Sequence, residues 1–540
     1  MTKKFEIQTK ELIDGLKSVC ANYGLGNDGN EFKIITQVFL YKFLNDKFIY
    51  EVKKNDEKAL ESESVEAYIS SLSKDDYEML CMQLGESTAI LKPEQLISKL
   101  YQKQDTSDFS DLFDSTLMEI AKNNSDIFSV LTNDGKKIVL FENISKYVTD
   151  KKDEFCKAVI NKLTNFSFEH IFEEKYDFFA TIFEYLIKDY NSNSGGKYAE
   201  YFTPHAVAKI MAKCLVQDEV SNVTCYDPSA GSGTLLMNLA HEIGEDKCSI
   251  FSQDISQKSS GLLRLNLILN NLVHSIHNIV TGNTILEPYH KSENGKLKQF
   301  DYIVSNPPFK LDFSGYVHQL DSKENSERFF AGFPNIPKKD KDKMAIYPLF
   351  VQHVIHSLSS SGKAAIVVPT GFIATQSKIE KKIRKKLVDE KMLKGVVSMP
   401  SNIFASTGTN VSILFIDKND NSDSVVLIDA SELGEKVKEG KNQKTVLKKE
   451  EEDRIINCFN NKVEEDDFSA VVNYSDMEPK DYSFSAGQYF KIKVDFVEIS
   501  EEEFLDENKN KIEKLTELFR ESHSLDSEIL KQLGKLKYEN

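Results

Sequence analysis

Residues 226–240 read "YDPSAGSGTLLMNLA" and follow directly on the apolar run "VTC". The pattern predicts a buried strand that ends at Asp227, a turn of small residues, and a helix that starts near Thr234. Gly231 and Gly233 let the backbone turn sharply and approach a ligand closely, while the start of the helix presents unpaired amides. We interpret this turn as a candidate cofactor cradle, although a plain strand-to-helix connection has the same pattern.

On both sides of this stretch, from about residue 166 to 420, short apolar strands alternate with amphipathic helices. The strand candidates read "VTCYD", "CSIFSQD", "FDYIVS", "KAAIVVP", "KGVVSMP" and "NVSILFID". The alternation predicts a Rossmann-like α/β domain with a mostly parallel, doubly wound sheet. Residues 1–165 have helical spacing and little glycine or proline, which predicts a helical N-terminal domain. Residues 421–540 are charged and less regular, and we expect a C-terminal region that ends in helices.

The next predicted strand, "CSIFSQD", ends at Asp254, 27 residues after Asp227. Rossmann-like folds place a carboxylate at about this position to accept hydrogen bonds from ribose hydroxyls. An aspartate at a strand end is often only a helix cap, but the glycine turn favours the ribose role. The turn lacks the lysine of a G-x-x-x-x-G-K-[ST] motif, which disfavours a nucleoside triphosphate as the ligand.

Upstream of the glycine turn, residues 200–215 read "EYFTPHAVAKIMAKCL". The pattern predicts a helix with Thr203 as N-cap and Pro204 as first helical residue. Its apolar face packs on the sheet, which leaves "EYF" just ahead of the helix and able to contact a cofactor. The predicted apolar face consists of Val207, Ile210, Met211, Cys214 and Leu215.

A second polar turn, "VSNPPFK" at 304–310, follows the strand "FDYI". Asn306 has a side-chain carbonyl, and Pro307 has a backbone carbonyl but no N–H. Two acceptors aimed at one point suit an exocyclic amino group with two hydrogens. Phe309 offers a ring face on which a base could stack, and such a base has to be flipped out of a duplex to be reached. A proline-stiffened loop at a strand end would be the simpler interpretation if the turn stood alone.

Composition limits the function classes. The net charge is −17, from 68 basic and 85 acidic residues, whereas a protein that gripped DNA unaided would normally have a basic surface. The seven scattered cysteines form no C-x-x-C pair, so we expect reduced, mostly buried thiols and no metal. No apolar run approaches the ~20 residues of a membrane helix, and no signal peptide is evident at the start. We therefore expect a cytoplasmic protein of two or three domains without a membrane partner.

The order "EYFTP", "DPSAGSG", "NPPF" resembles the gamma group of N6-adenine DNA methyltransferases, which use S-adenosyl-L-methionine. With "SMPSNIFASTGTNVSILFIDK" and "DYSFSAGQYF", the chain more narrowly resembles the modification subunit of type I restriction-modification systems, over roughly residues 5–495. The resemblance implies a catalytic tetrapeptide of Asn306, Pro307, Pro308 and Phe309. It implies a cofactor site made of Glu200, Tyr201, Phe202, Thr203, Pro204, His205, Asp227, Gly231, Ser232, Gly233, Thr234, Asp254 and Asn283.

Two positions depart from the family pattern. Asn283, in "GNTI", stands where many relatives have aspartate, so a contact with the adenine ring of the cofactor is less well supported there. Phe309 stands where other adenine enzymes have tyrosine, which preserves stacking and removes a hydroxyl. Alternatives are a methyltransferase of another planar amino group, on RNA or on a protein glutamine, and an inactive subunit that binds cofactor and scaffolds a complex.

The family resemblance also implies partners. These are double-stranded DNA, a specificity subunit flanked by two modification subunits, and in some systems a restriction subunit. The tail has Ile512, Leu515, Phe519, Ile529, Leu533 and Leu536 in one heptad phase, interrupted by Ser522 and Asp526. We therefore expect two short helices that pack on a partner or on the protein's own domains rather than a continuous coiled coil. The loop after the tetrapeptide, 311–343, is predicted to close over the target base or to contact DNA. Asp46, Glu51 and Lys53 are expected to be surface charges on helices, and we assign no nuclease.

Overall fold

The computed structural model describes residues 2–26, 29–85, 87–169, 172, 182, 185–186, 203–404, 410–420, 422–439, 442–490 and 499–534. The chain divides into two compact units, Met1–Phe490 and Lys491–Asn540. No helix in the described part of the chain is long and apolar enough to cross a membrane.

The N-terminal region is helical, as predicted. Its longest helix buries Ile35, Phe39 and Phe43, which are spaced four residues apart and therefore share one face of the helix. The helices described in this region are α1 (Thr2–Asn22), α2 (Gly29–Asn55), α3 (Glu57–Glu61), α4 (Val65–Ser71), α5 (Lys74–Gln83), α6 (Ile97–Gln102), α7 (Phe109–Asn123), α8 (Ser125–Phe128) and α9 (Lys152–Thr164).

Asp46 in α2 was expected at the surface, and the structure buries it instead. Its carboxylate accepts hydrogen bonds from Lys42 Nζ at 2.9 Å and from the backbone amide of Phe168 at 2.8 Å. The neighbouring charges are engaged elsewhere, since Lys53 pairs with Glu169 at 2.7 Å. A buried carboxylate is tolerated because these donors replace the water that it loses. Its contacts give Asp46 a packing role.

The strands divide between a large sheet and a separate two-stranded one. Every strand that the sequence predicted between 223 and 417 is present. The strands described are β1 (Val130–Thr132), β2 (Lys137–Ile138), β3 (Val223–Asp227), β4 (Cys248–Asp254), β5 (Ile279–Thr281), β6 (Phe300–Ser305), β7 (Leu358–Pro369), β8 (Leu393–Ser398), β9 (Val411–Asp417), β10 (Ser424–Asp429), β11 (Glu435–Glu439), β12 (Asn442–Val446) and β13 (Ser469–Asn473).

The large sheet has the order β13-β10-β8-β9-β7-β6-β3-β4-β5-β1-β2, and β11 pairs with β12 by itself. Neighbours from β7 through β6, β3, β4 and β5 to β1 are parallel. β9 runs antiparallel to both β7 and β8, so the sheet is mixed although mostly parallel. The predicted α/β class is confirmed. The sheet itself crosses the predicted boundaries at 165 and 420, which remain predictions.

Helices cover both faces of this sheet, as a doubly wound fold requires. In the first unit, the described helices that follow the N-terminal region are α10 (His205–Leu215), α11 (Thr234–Ile243), α12 (Gln257–Leu269), α13 (Val317–Leu320), α14 (Tyr347–Ser357), α15 (Lys378–Asp389) and α16 (Lys449–Asn461). The second unit has α17 (Glu501–Leu533).

The side chains of β6 show how the two faces are packed. Tyr302 and Val304 belong to the core shared with α10, α11 and α12, whereas Ile303 belongs to the core shared with α14 and α15. This alternation is the period of two that a strand imposes on its side chains. The five predicted apolar residues of α10 are all buried. The helix itself begins at His205, one residue later than predicted, with Pro204 as the residue before it.

The second unit contains α17, a single helix of 33 residues where two short helices were expected. The prediction was wrong because a polar residue on an apolar stripe weakens packing against a partner but leaves the backbone hydrogen bonds of the helix intact. Ser500 and Glu503 form a capping box at its start. Its large apolar side chains are exposed, among them Leu515 at 50% and Phe519 at 65%. Leu536 lies outside the described residues.

The seven cysteines are free thiols, as expected. Six of them are buried and Cys81 is partly exposed.

Candidate functional site

The candidate site lies at the carboxyl ends of three neighbouring strands, β6, β3 and β4. β3 ends at Asp227, β4 ends at Asp254, and Asn306 follows the last residue of β6. Because parallel strands end at the same edge of a sheet, the two predicted motifs and the predicted ribose carboxylate meet there. Open α/β sheets bind their ligands at this edge.

The glycine turn has the sharp backbone turn that its sequence predicted. Gly231 and Gly233 have φ angles of 54° and 85°, in the left-handed region that favours glycine. A Cβ on Gly233 would lie 2.2 Å from Leu263 Cδ1 of α12, so a larger residue there would have to displace the Leu263 side chain. The turn then delivers Thr234 as the first residue of α11, where the amides of the first turn have no partner in the helix. Ser232 is buried in the turn, and its Oγ lies 3.2 Å from Thr234 Oγ1.

Asp254 is bonded directly to the glycine turn. Its Oδ2 accepts from the amide of Gly231 at 2.9 Å, and its Oδ1 accepts from the amide of Ser256 at 2.8 Å. Ser256, rather than Asp254, caps α12, because the Ser256 side chain accepts from the amide of Ser259. Burial raises the pKa of the Asp254 carboxyl, and these two amide donors oppose that rise. Asp254 thus fixes the distance between the turn and the end of β4.

Asp227 is deeply buried at the end of β3. Burial raises the pKa of its carboxyl to about 8, partly offset by the hydrogen bond from the amide of Ser229, while the nearby charge of Asp254 raises it further. The Ser229 hydroxyl lies 2.8 Å from the Ser305 hydroxyl, which ties this turn to the end of β6. Among the residues that the structure describes, neither Asp227 nor Asp254 forms an ion pair. Two such carboxylates suit a ligand that carries both hydroxyls and positive charge.

The tetrapeptide follows β6 without a break. Asn306 and Phe309 are half-buried, Pro307 is buried and Pro308 is exposed. The Phe309 ring meets Tyr347 edge to face, with centroids 6.2 Å apart and planes at 77°. This edge-to-face contact holds the half-buried ring in place at the end of the tetrapeptide.

Asn306 is oriented by the segment that precedes α10. Its Nδ2 donates to Thr203 Oγ1 at 3.2 Å. Because the amide nitrogen is used in this way, the carbonyl Oδ1 is the group left to accept, and no described residue donates to it. Asn306 Oδ1 is thus left as an open acceptor, and its role toward an amino group stays a prediction. Thr203 and Pro204 are buried and His205 is half-buried.

Asn283 also lies at this edge, just after β5. Its Oδ1 accepts from the amides of Ile285 and Leu286, both at 3.1 Å, so it stabilises its own turn. The predicted contacts of Glu200, Tyr201 and Phe202 lie outside the described residues.

Sequence reasoning missed several residues that shape the site. Tyr347 supports Phe309, and Ser229 with Ser305 joins two strand ends. Arg328 lies in the stretch 311–343, where no periodicity gave a signal, yet it is fully buried. Nothing but a close contact in three dimensions singles these residues out. No group of three or more His, Cys, Asp or Glu in the described part of the chain could hold a metal ion.

Comparisons with known proteins give a consistent result. A family model described as N-6 DNA methylase matches residues 174–495. The chain is 27% identical over 534 residues to the type I restriction enzyme MpnII methylase subunit of Mycoplasma pneumoniae, covering 92% of this chain and 93% of the relative. It is 24% identical over 549 residues to the MjaVIII methylase subunit of Methanocaldococcus jannaschii, covering 99% of this chain and 85% of that one.

Among solved structures, the methyltransferase subunit of a type I restriction-modification system from Streptococcus thermophilus is similar, with a TM-score of 0.70 and 21% identity. The match covers 91% of this chain and 100% of the other. At this identity the likeness establishes the shared fold.

Proposed function

Because this chain belongs to the N-6 DNA methylase family, we propose that it is the modification subunit of a type I restriction-modification system and methylates N6 of adenine in DNA. S-adenosylmethionine is the methyl donor of this family. The observation that carries the proposal is the meeting of Asn306, Asp227 and Asp254 at one edge of the sheet. It brings an acceptor for an amino group next to carboxylates suited to a cationic, ribose-bearing cofactor.

The cofactor fits the residues at the strand ends. Asp254 can accept hydrogen bonds from the ribose hydroxyls. The positive charge of the cofactor would favour the ionised form of the Asp227 carboxyl. The turn from Gly231 to Thr234 brings backbone amides close to the ligand. Bound there, S-adenosylmethionine supplies an electrophilic methyl group on a sulfonium sulfur.

The tetrapeptide would act on the target base. Asn306 Oδ1 and the Pro307 carbonyl accept the two hydrogens of the adenine N6 amine, which orients the nitrogen lone pair for attack. Phe309 stacks on the base after it is flipped out of the duplex. Fixed acceptors that need no rearrangement during the reaction lower its barrier, and orientation of the amine adds to this. Neither a metal nor a covalent intermediate is required.

DNA recognition is assigned to a partner. The net charge of −17 opposes unassisted binding to a polyanion. The exposed apolar positions of α17 offer a surface that helices of a specificity subunit can cover. We propose an assembly of two such chains with one specificity subunit on double-stranded DNA, to which a restriction subunit can be added.

Close to the site, the chain nevertheless offers positive charge to the DNA backbone. Lys310 directly follows the tetrapeptide and is exposed, and so are the four lysines of the segment 338–343. These positions fit contacts with phosphates on either side of a flipped base, and they support the predicted DNA contact of the loop 311–343.

Sequencing that detects N6-methyladenine tests the proposal. A host that carries this gene together with its genomic neighbours should show N6-methyladenine at one defined site, and deletion of this gene should remove the modification. The Asn306→Ala gene, expressed to the same level, is the matched control. Methylation of cytosine, of RNA or of protein glutamine, or N6-methyladenine that persists with Asn306→Ala, would contradict the proposal.

A further inference from the structure

The stretch from Lys310 to Ala345 is an insertion that begins and ends beside the tetrapeptide. Lys310 and Ala345 form an antiparallel bridge. The amide of Ile346 donates to the carbonyl of Phe309 at 3.1 Å, which closes the insertion onto the tetrapeptide itself. Phe313 and Phe329, within the insertion, are buried in a core that also includes Ile285 and the α14 residues Leu349 and Phe350. A displacement of Phe309 by a bound base would therefore be transmitted directly to this insertion.

Arg328 joins this insertion to the turn that follows β5. It is 2% exposed. Its two terminal nitrogens donate to the carbonyls of Thr284 at 2.8 Å and Ile285 at 2.9 Å, and its Nε donates to His353 Nδ1 at 3.0 Å. Arg328 thus hydrogen-bonds the insertion to the turn "GNTI" and to α14, beside the apolar core that these segments share.

Two hydrogen-bonded routes lead from Arg328 to the cofactor turn. On the first route, Thr284 Oγ1 donates to the carbonyl of Pro228 at 2.7 Å, one residue after Asp227. On the second, His353 Nε2 lies 3.2 Å from the hydroxyl of Tyr226, the residue before Asp227. Both routes therefore end next to the same buried carboxylate.

The surroundings of Arg328 make its burial energetically unfavourable. Its three acceptors are two carbonyls and an imidazole, none of them negatively charged. Burial lowers the pKa of Arg328 to about 10, so the guanidinium still carries its charge at neutral pH. Burial and the charge of Arg328 lower the pKa of His353 well below its usual value, which leaves the ring neutral and able to accept at Nδ1. A buried cation without a counter-charge is a poor source of stability.

From these contacts we propose that Arg328 is a positioning residue that couples the base-binding tetrapeptide to the cofactor turn, so that S-adenosylmethionine and the target base strengthen each other's binding. The inference rests on the proposed function. It requires the planar fork of arginine, because a lysine cannot satisfy three acceptors in these directions. Coupling of this kind is reciprocal, so it can be observed from the cofactor side alone.

The fold provides a matched control in Arg384 of α15. It is also fully buried, and it also donates three hydrogen bonds, to the carbonyls of Phe372, Thr375 and Tyr482. None of these acceptors belongs to the turns of the candidate site. Arg328→Lys and Arg384→Lys therefore remove comparable bonds, only one set of which connects the two binding regions.

Hydrogen exchange measured by mass spectrometry on the full chain tests the inference. In the wild type, saturating S-adenosylmethionine should slow amide exchange by about fivefold or more both at the cofactor turn, 227–234, and in the insertion, 310–345. In Arg328→Lys the slowing should persist at the turn and be lost in the insertion. Arg384→Lys should behave as the wild type does.

The outcomes separate two kinds of failure. If the wild type shows no protection at 227–234, cofactor binding and the proposed function fail. The coupling inference is overturned if the turn is protected and the insertion remains protected in Arg328→Lys. It is also overturned if the insertion loses its protection equally in Arg384→Lys.

A second variant guards against loss of folding in Arg328→Lys. Thr284→Val removes only the hydroxyl that reaches Pro228 and keeps the side-chain volume. We expect it to reduce the protection of the insertion while the turn remains protected, with thermal unfolding monitored in parallel. If the insertion is protected as strongly as in the wild type in both Thr284→Val and Arg328→Lys, neither side chain couples the insertion to the cofactor turn.

Discussion

Asn306 donates a hydrogen bond from Nδ2 to Oγ1 of Thr203 at 3.2 Å, between two residues that are 103 positions apart. This bond decides which end of the Asn306 amide faces the ligand edge of the sheet. With the nitrogen engaged, the oxygen is presented as an acceptor. The segment before α10 therefore helps to prepare the tetrapeptide for its proposed role.

Thr203→Val should slow methyl transfer without preventing it. Loss of one hydrogen bond of ~1 kcal/mol would lower kcat about fivefold, because the amide of Asn306 would no longer be held in one orientation. Thr203→Ser keeps the hydroxyl and is the control. Steady-state kinetics with the assembled enzyme measure this, and equal rates for the valine and serine variants would remove Thr203 from the orientation of Asn306.

Asn306→Ala should abolish methylation while cofactor binding stays close to normal. The reason is that the proposed acceptor of the target amine is lost, whereas the contacts at Asp227 and Asp254 are unchanged. Methyl incorporation into DNA and calorimetric binding of S-adenosylmethionine are the two measurements. Activity within a few-fold of wild type would exclude Asn306 from the mechanism.

Asp254→Ala should weaken S-adenosylmethionine binding by about 1–3 kcal/mol, the cost of losing hydrogen bonds to a charged acceptor. Part of the loss will come from the glycine turn, because the amides of Gly231 and Ser256 lose their acceptor. Ser256→Ala, which removes the side-chain cap of α12 but leaves Asp254 in place, is the control for local loosening. Unchanged affinity in Asp254→Ala, measured by calorimetry, would contradict the ribose role.

Binding of the cofactor at pH 7 should release about one proton from Asp227. Its pKa in the cofactor-free protein is raised to about 8, so the carboxyl is mostly protonated at pH 7, and a cationic ligand favours the ionised form. Calorimetry in two buffers of different ionisation enthalpy counts the proton, and Asp227→Asn should release none. Proton uptake by the wild type would contradict the assignment.

The same shift has a consequence for stability, with a definite sign. A carboxyl whose pKa is raised on folding contributes stability that is present below its unfolded value of about 4 and is lost as pH rises through about 8. Between pH 6 and pH 8, the midpoint temperature of thermal unfolding should therefore fall less for the cofactor-free Asp227→Asn variant than for the wild type.

Removal of residues 500–540 should impair assembly with the specificity subunit while leaving cofactor binding intact. The isolated full chain should bind DNA weakly, with strong salt dependence and no sequence preference. A finer test replaces Leu515 and Phe519 on the apolar stripe of α17 with serine, with Glu513→Ser and Glu517→Ser as controls on the same helix. Co-purification and gel-shift assays measure both effects, and tight site-selective binding by the chain alone would show that recognition lies within it.

The sequence by itself determined the local elements of the site. The strand that ends at Asp227, the turn with Gly231 and Gly233, and the strand ahead of Asn306 are all where the pattern predicts them. This is possible because a period of two, a positive φ and a proline without an N–H are properties of short stretches of chain.

Tertiary structure alone decided how these elements cooperate. The insertion of β9 between β7 and β8, the bond between Asn306 and Thr203, and the burial of Arg328 all join residues that are distant in sequence. Such contacts depend on which surfaces pack together in the folded core, and this cannot be predicted from the periodicity of a short stretch of sequence. The order of motifs therefore indicated the chemistry, while packing between distant segments set the orientation of the groups proposed to carry it out.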